Sequence, residues 1–289
     1  MLKHSFAFEA IGTYWSIETD ETLADELRTA ILHRVQDFDE TYSRFRKSSL
    51  ITKISESEGI YTFPDDAQEL FTFYRKLYNA TNGKVTPLIG GVLEKAGYDA
   101  AYSFHERTQE KLPTWDEAIE LSGNLLKVKK PVVMDFGAAG KGYLVDIVSQ
   151  LLEDAGVTEY VVDASGDIRH RGVDENKVGL EHPFETDKVI GVIDIQNKSL
   201  CASAVNRRQW GDGQHHIYDP DLLAPTNEVV ASWAIADSTL VADGIATALF
   251  FVEPAKLRKD FSYEYLRIHR DGTIDYSPAF EGKLFYELF

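Results

Sequence analysis

Apolar and polar positions along this chain switch between two periods. Residues 10–18 alternate, as a half-buried strand does, and predict an opening strand. Leu23, Leu27, Ile31, Val35, Phe38 and Tyr42 then recur at three- and four-residue steps, the stripe of one buried helix face. A second helix is expected from Pro64, with Asp65 and Asp66 suited to its positive end. Its buried side would carry Leu70, Tyr74, Leu77 and Tyr78, and Gly83 lies near its stop. Residues 132–134 (Val-Val-Met) read as a short buried strand entering the turn 135–142. The helix after that turn points Tyr143, Leu144, Ile147, Val148, Leu151 and Leu152 inward until Gly156 ends it. Further strands are expected at 160–162, 189–195, 199–203 and 229–235, then a helix over 238–252 and a short β-rich tail. No repeat, low-complexity tract or Pro/Ser-rich linker divides the pattern, so one α/β or α+β domain is predicted.

Composition narrows this picture. Of 289 residues, 44% are hydrophobic and 27% charged, enough for a large core without disulfide or metal staples. The single cysteine, Cys201, excludes a disulfide framework and a cysteine-based zinc site, and fits a reducing compartment. No run approaches the roughly 20 apolar residues of a membrane span. The opening residues, Met1 to Glu9, lack the apolar stretch and cleavage site of a signal peptide, so a cytoplasmic protein without a membrane span is expected. A net charge of −17 argues against nucleic acid and anionic membranes as partners. An anionic substrate would therefore need local help, from backbone amides or a bound cation.

Three segments carry candidate chemistry. The glycine-rich turn at 135–142, between strand and helix, suits an anion, because helix-N-terminal amides and the dipole favour negative charge. Gly137-x-x-Gly140-x-Gly142 matches neither common nucleotide fingerprint, and a tight connection with small packing residues explains it equally well. The helix at 238–252 is apolar nearly all round with Asp243 its only charge before residue 253, and a buried carboxylate demands compensation. Thr239 and Thr247 lie one turn to either side on the same face, and carboxylate plus hydroxyl oxygens suit Mg²⁺. Asp243 serves as readily to cap a neighbouring helix or to pair with a buried cation. In the run from Asp212 to Pro220, a strand would put His216 and Tyr218 on one face and His215 and Ile217 on the other. One histidine is then available for acid–base work, the alternative being a polar loop.

The order of these motifs resembles the ApbE family of FAD:protein FMN transferases. The resemblance rests on residues 135–146 (DFGAAGKGYLVD), 165–169 (SGDIR), 216–220 (HIYDP) and 242–248 (ADGIATA). Upstream, 12–15 (GTYW), 42–45 (YSRF) and 81–87 (TNGKVTP) fall where the family's early motifs lie. It implies a single α+β, T-fold-related domain over residues 1–289, with mixed β-sheets and flanking helices. It also implies FAD as substrate in a cleft and Mg²⁺ on the pyrophosphate. By the same resemblance, Asp243, Thr247 and the Ala138 carbonyl hold the metal and His216 handles the acceptor proton. Ser43, Gly83, Pro87, Lys141, Gly166, Asp167 and Asp219 line or shape the FAD site. The partner implied is an acceptor flavoprotein whose flavinylation motif, short and Ser/Thr-rich, offers a threonine or serine.

The chain departs from the family pattern at several places. Ser165-Gly166 replaces a double glycine, Ala204 stands for the glycine of Ser-Gly, and Gly140 stands for the alanine of Ala-Lys-Gly. Asp221-Leu222-Leu223 lacks a usual glycine, and Thr86 replaces an aspartate. Two rival activities use the same residues: an FAD pyrophosphatase, with water in place of the acceptor, and a non-catalytic FAD-binding protein. Retention of His216, Asp243 and Thr247 together favours chemistry over storage.

Overall fold

The computed structural model describes residues 2–105, 108, 111–211 and 213–285. Met1 and Asp212, named above, lie outside them. Eight strands hydrogen-bond in chain order into one sheet: β1 (His4–Ala10), β2 (Thr13–Thr19), β3 (Tyr160–Asp163), β4 (Asp167–Arg171), β5 (Ser199–Ala204), β6 (Val229–Ala236), β7 (Glu264–His269) and β8 (Ile274–Tyr276). Every neighbouring pair in it is antiparallel. Period-two alternation gives this sheet two apolar faces. Trp15, Ile17, Tyr160, Val162, Cys201 and Ala234 join one core, and Val161, Leu200, Trp233 and Leu266 the other.

The longest helices packed on the first core are α1 (Asp25–Tyr42), α2 (Ala67–Ala80), α3 (Gly140–Asp154) and α4 (Thr239–Ala248). Ile31, Val35, Phe38 and Tyr42 of α1 and Leu70, Tyr74 and Leu77 of α2 are buried there, as their spacing predicts. Each such side chain contributes about 1.5–3 kcal/mol on leaving water, before the entropy of ordering it is subtracted. The second core is covered by a three-stranded antiparallel sheet of Asn176–Glu181, Val189–Ile195 and Lys283–Leu284. The α+β class and flanking helices are thus borne out. Among the described residues, no helix is long and apolar enough to cross a membrane.

Several local expectations change. The single opening strand over 10–18 is a hairpin, because Ile11 (φ 45°) and Gly12 (φ 75°) turn the chain between β1 and β2. Two successive positive φ values suit a tight hairpin turn, but isoleucine is an unusual residue there and hides the signal. Residues 132–134 are not a strand. Val132 and Met134 are buried, yet this stretch pairs with no neighbour and packs against the turn at Pro87, whose carbonyl takes the Asp135 N–H at 2.7 Å. Burial, not a ladder, wrote its apolar pattern. Leu23 precedes α1 rather than lying in it, and α2 starts at Ala67 rather than Pro64. The last helix stops at Ala248, after which the chain tightens into turns.

The start of α3 meets α4 at its tightest point at Gly142. A Cβ there would sit 2.3 Å from the Thr239 carbonyl oxygen and 2.6 Å from Asp243 Cβ. Asp146 reaches across from α3 and accepts the N–H groups of Thr239 and Leu240, both at 2.8 Å, so one helix caps the other. Gly142→Ala should therefore force the two helices apart and lower stability by about 3 kcal/mol or more, read from urea midpoints.

Candidate active site

Where the helix layer meets the sheet, a cleft of about 780 Å³ opens, within the range of small-molecule sites. Its walls come from distant parts of the chain: Thr13 and Tyr14 from β2, Lys141 from α3, Gly166 and Asp167 at the start of β4, Asp243 and Thr247 from α4, and His216 from the loop region before β6. The turn at 135–142 forms one corner, with Asp135, Gly137 and Ala138 exposed to the cavity. That corner is the N-terminus of a 15-residue helix, whose dipole and free amides favour an anion.

The expected metal donors converge. Asp243 and Thr247 stand one turn apart on α4, and the Thr247 hydroxyl donates to the Ala138 carbonyl at 3.3 Å. Asp243 Oδ2 accepts the Gly142 N–H at 2.8 Å, so this carboxylate does cap the neighbouring helix. Among the described residues, Oδ1 accepts no hydrogen bond. Thr239, the third member of that face, turns away into the core and bonds Ser199 at 2.8 Å. Among the described residues no group of three His, Cys, Asp or Glu side chains could hold a metal ion. One carboxylate, one hydroxyl and one carbonyl form a sparser, all-oxygen set, which suits a hard cation that keeps water and substrate oxygens as further ligands.

Charge in the cleft is out of balance. Asp167, 1% exposed, lies 3.2 Å from Lys141 Nζ, and neither of its oxygens accepts a well-aligned hydrogen bond. Lys141 also donates to the Ala164 carbonyl at 2.6 Å. Loss of water raises the pKa of both Asp167 and Asp243; repulsion from Asp167 raises Asp243 further, and Lys141 opposes both shifts. Two buried carboxylates thus have one close ammonium, Lys141, with Arg208 a weaker influence on Asp243, and a cation bound between oxygen donors would compensate them further. Asp135 differs: burial raises it, but the Arg44 guanidinium at 2.6 Å and the Gly137 N–H outweigh that and hold it below the usual carboxylate range.

The two histidines part company. The strand expected through them is interrupted, leaving only Gln214–His215 and Tyr218–Asp219 in ladders. His215 is buried and bonds the Thr226 carbonyl at 3.0 Å. His216 lines the cleft together with Ile217 and Tyr218, so the clean alternation of faces does not hold. His216 Nδ1 meets the Arg207 carbonyl at 3.1 Å. A carbonyl only accepts, so Nδ1 carries the proton and Nε2 keeps its lone pair. Burial of the ring, then the charges of Arg208 and His215, push its pKa down to about 3. The ring is a neutral base near pH 7.

Of the other expected residues, Ser43, Gly83, Pro87 and Asp219 do not line the cleft themselves, whereas Gly166 does. Gly83 and Pro87 flank Lys84, Val85 and Thr86, which line the cleft, and Asp219 follows Tyr218. Lys84 Nζ meets both oxygens of Asp219, at 2.7 and 2.8 Å, and holds its pKa below the usual range against the effect of burial. Ser43 ends α1 beside Arg44, the partner of Asp135. Gly166 turns the chain at φ 96° and donates to Asp163 at 2.8 Å. Spacing alone did not single out Arg44, Lys84, Asp135 or Arg208 as site residues. Lys84 and Arg44 are adjacent to residues that did stand out, whereas Arg208 had no sequence signal.

The departures acquire a physical form. Ser165 (φ 54°) and Leu223 (φ 52°) keep the left-handed backbone that a glycine adopts freely. Thr86 accepts the Leu88 N–H at 3.2 Å as the cap of a short helical turn, a task an aspartate also performs.

Comparison with known proteins agrees with this geometry. The ApbE family model matches residues 11–265. The FAD:protein FMN transferase of Vibrio cholerae is 25% identical over 261 residues, covering 83% of this chain and 78% of its own. The FAD:protein FMN transferase of Escherichia coli K12 is 21% identical over 307 residues, covering 96% of this chain and 84% of its own. Among solved structures, the ApbE protein of Thermotoga maritima superposes with a TM-score of 0.81 at 22% identity, covering 96% of this chain and 98% of the other.

Proposed function

The chain belongs to the ApbE family, and on that membership and the chemistry of its cleft we propose that it is a Mg²⁺-dependent FAD:protein FMN transferase. It would cleave FAD and attach FMN through a phosphoester to a threonine or serine of an acceptor flavoprotein, releasing AMP. The observation that carries this reading is the meeting of Asp243, Thr247 and the Ala138 carbonyl in one cleft with the neutral base His216 and Lys141. The cleft draws on residues from Gly12 to Phe251, which supports reading residues 1–289 as a single flavin transferase domain.

The roles follow from the groups present. Asp243, Thr247 and the Ala138 carbonyl would hold Mg²⁺, which when bound neutralises pyrophosphate charge and eases departure of AMP. The α3 N-terminus and Lys141 receive the anionic part of FAD. Gly166, Asp167 and the Lys84–Asp219 pair shape the surrounding wall, with Ser43, Gly83 and Pro87 behind it. His216 Nε2 takes the proton of the acceptor hydroxyl as its oxygen attacks the FMN phosphorus. Catalysis is then mainly positioning and charge stabilisation. The test follows AMP release from FAD with Mg²⁺ together with the mass of an acceptor domain. Both should rise together. AMP alone points to the pyrophosphatase, and FAD bound but uncleaved points to the binding protein.

A further inference from the structure

The cations of the cleft are nearly all committed. Lys141 is held by Asp167, Lys84 by Asp219 and Asp221, and Arg207 by Glu181, while Arg44, behind the wall, is held by Asp135 and the Tyr98 carbonyl. Arg208 is the exception. It lines the cleft with His216, Asp135 and Asp243, yet among the described residues its guanidinium donates no hydrogen bond and joins no ion pair. Its charge still reaches His216 and Asp243, on which it acts after burial and other groups.

The side chain of Arg208 is exposed at the cleft, and the chain on either side of it is anchored. Immediately before it, the Arg207 carbonyl is bonded to His216 at 3.1 Å. Two residues after it, Trp210 Nε1 donates to the Ala96 carbonyl at 3.0 Å, and its ring stacks on Tyr98 with centroids 5.4 Å apart. Between these anchors Arg208 adopts φ 51°, a left-handed conformation that disfavours any side chain. A strained backbone that presents an unused five-donor cation to a cleft calls for an anionic ligand.

Resting on the transferase reading, we propose that Arg208 grips the phosphoryl group under transfer, its fork pairing with non-bridging oxygens of the FMN phosphate of FAD. Arg208 lines the same cleft as His216 and follows the residue whose carbonyl bonds it, which favours the phosphorus under attack over the departing AMP as its target. In the step itself, the acceptor oxygen bonds to that phosphorus and the bond to the oxygen shared with AMP breaks. The hydroxyl proton passes to His216, and AMP leaves with the bridging oxygen. Arg208 neutralises charge on the oxygens that stay with FMN, where a positioned donor is worth most.

The test uses Arg208→Gly and Arg208→Lys in the full chain, with wild type alongside, over a range of FAD concentrations at saturating Mg²⁺ and acceptor domain. Arg208→Gly should lower kcat for FMN transfer about 100- to 1,000-fold and change KM for FAD much less. Its unfolding midpoint should be at or above that of wild type, because glycine suits the left-handed backbone. Lysine should recover only a small part of the rate, lacking the planar fork. A Gly variant with wild-type kcat, or one that loses rate only in proportion to lost stability, overturns the assignment. So does one in which KM alone rises. A wild-type chain that transfers no FMN removes instead the reading on which the inference rests.

Discussion

Asp243→Asn should abolish Mg²⁺-dependent cleavage of FAD while leaving the protein folded. The asparagine oxygen still accepts the Gly142 N–H that Asp243 now accepts at 2.8 Å, so the contact between α3 and α4 survives. What disappears is the negative charge that would compensate Mg²⁺ in the proposed site. A loss of about a thousandfold in AMP release is expected, equivalent to ~4 kcal/mol of barrier. The urea midpoint should hold or rise, since burial and repulsion from Asp167 already make the charged form of Asp243 costly. Parent-level cleavage by this variant, at saturating Mg²⁺, would end the assignment of the metal site to α4.

His216→Ala should separate binding from transfer. Its Nε2 is the neutral base facing the cleft, so its removal should slow FMN transfer by about 100- to 10,000-fold. Affinity for FAD, measured by equilibrium titration, should change far less, because on the proposed reading Lys141 and the α3 N-terminus, not His216, receive its anionic groups. An equal loss in both would make His216 a binding residue. Unlike Asp243, this side chain sits in a loop region between short ladders, and among the described residues its one hydrogen bond is with the Arg207 carbonyl. Stability should therefore move little.

Much of this architecture was legible in the chain. The α1 stripe, the strands at 189–195 and 199–203 and the Asp243 helix depend on local periodicity, which burial on one or two faces writes directly into sequence. The motifs around Lys141, His216 and Asp243 were legible too, because glycines, a histidine and a lone buried acid are chemically conspicuous. Other features were hidden for physical reasons. The hairpin at Ile11-Gly12 uses an uncommon turn residue, and residues 132–134 are apolar through packing alone. That Lys141 pairs with Asp167 and also acts on Asp243 is a fact of tertiary structure, since these groups are far apart in the chain. Arg208 was invisible for a related reason. An arginine in a polar loop reads as solvated surface until the fold is seen to bring it to the rim of a cleft.

The departures also look different in three dimensions. Ser165 and Leu223 replace expected glycines without losing the backbone those glycines would serve. The turns are kept at some conformational cost, and the cleft retains Gly166, Asp167 and the His216 segment in its walls.

The intact mass of an acceptor domain tests the central claim most directly. The purified chain is incubated with FAD, Mg²⁺ and a flavoprotein domain bearing a Ser/Thr-rich flavinylation motif, with a chelator control. A transferase adds one FMN-sized increment to the acceptor, releases AMP in equal amount and does neither with the chelator present. AMP released while the acceptor mass stays unchanged, across acceptors with the motif threonine intact, would contradict the transferase and make the protein an FAD pyrophosphatase.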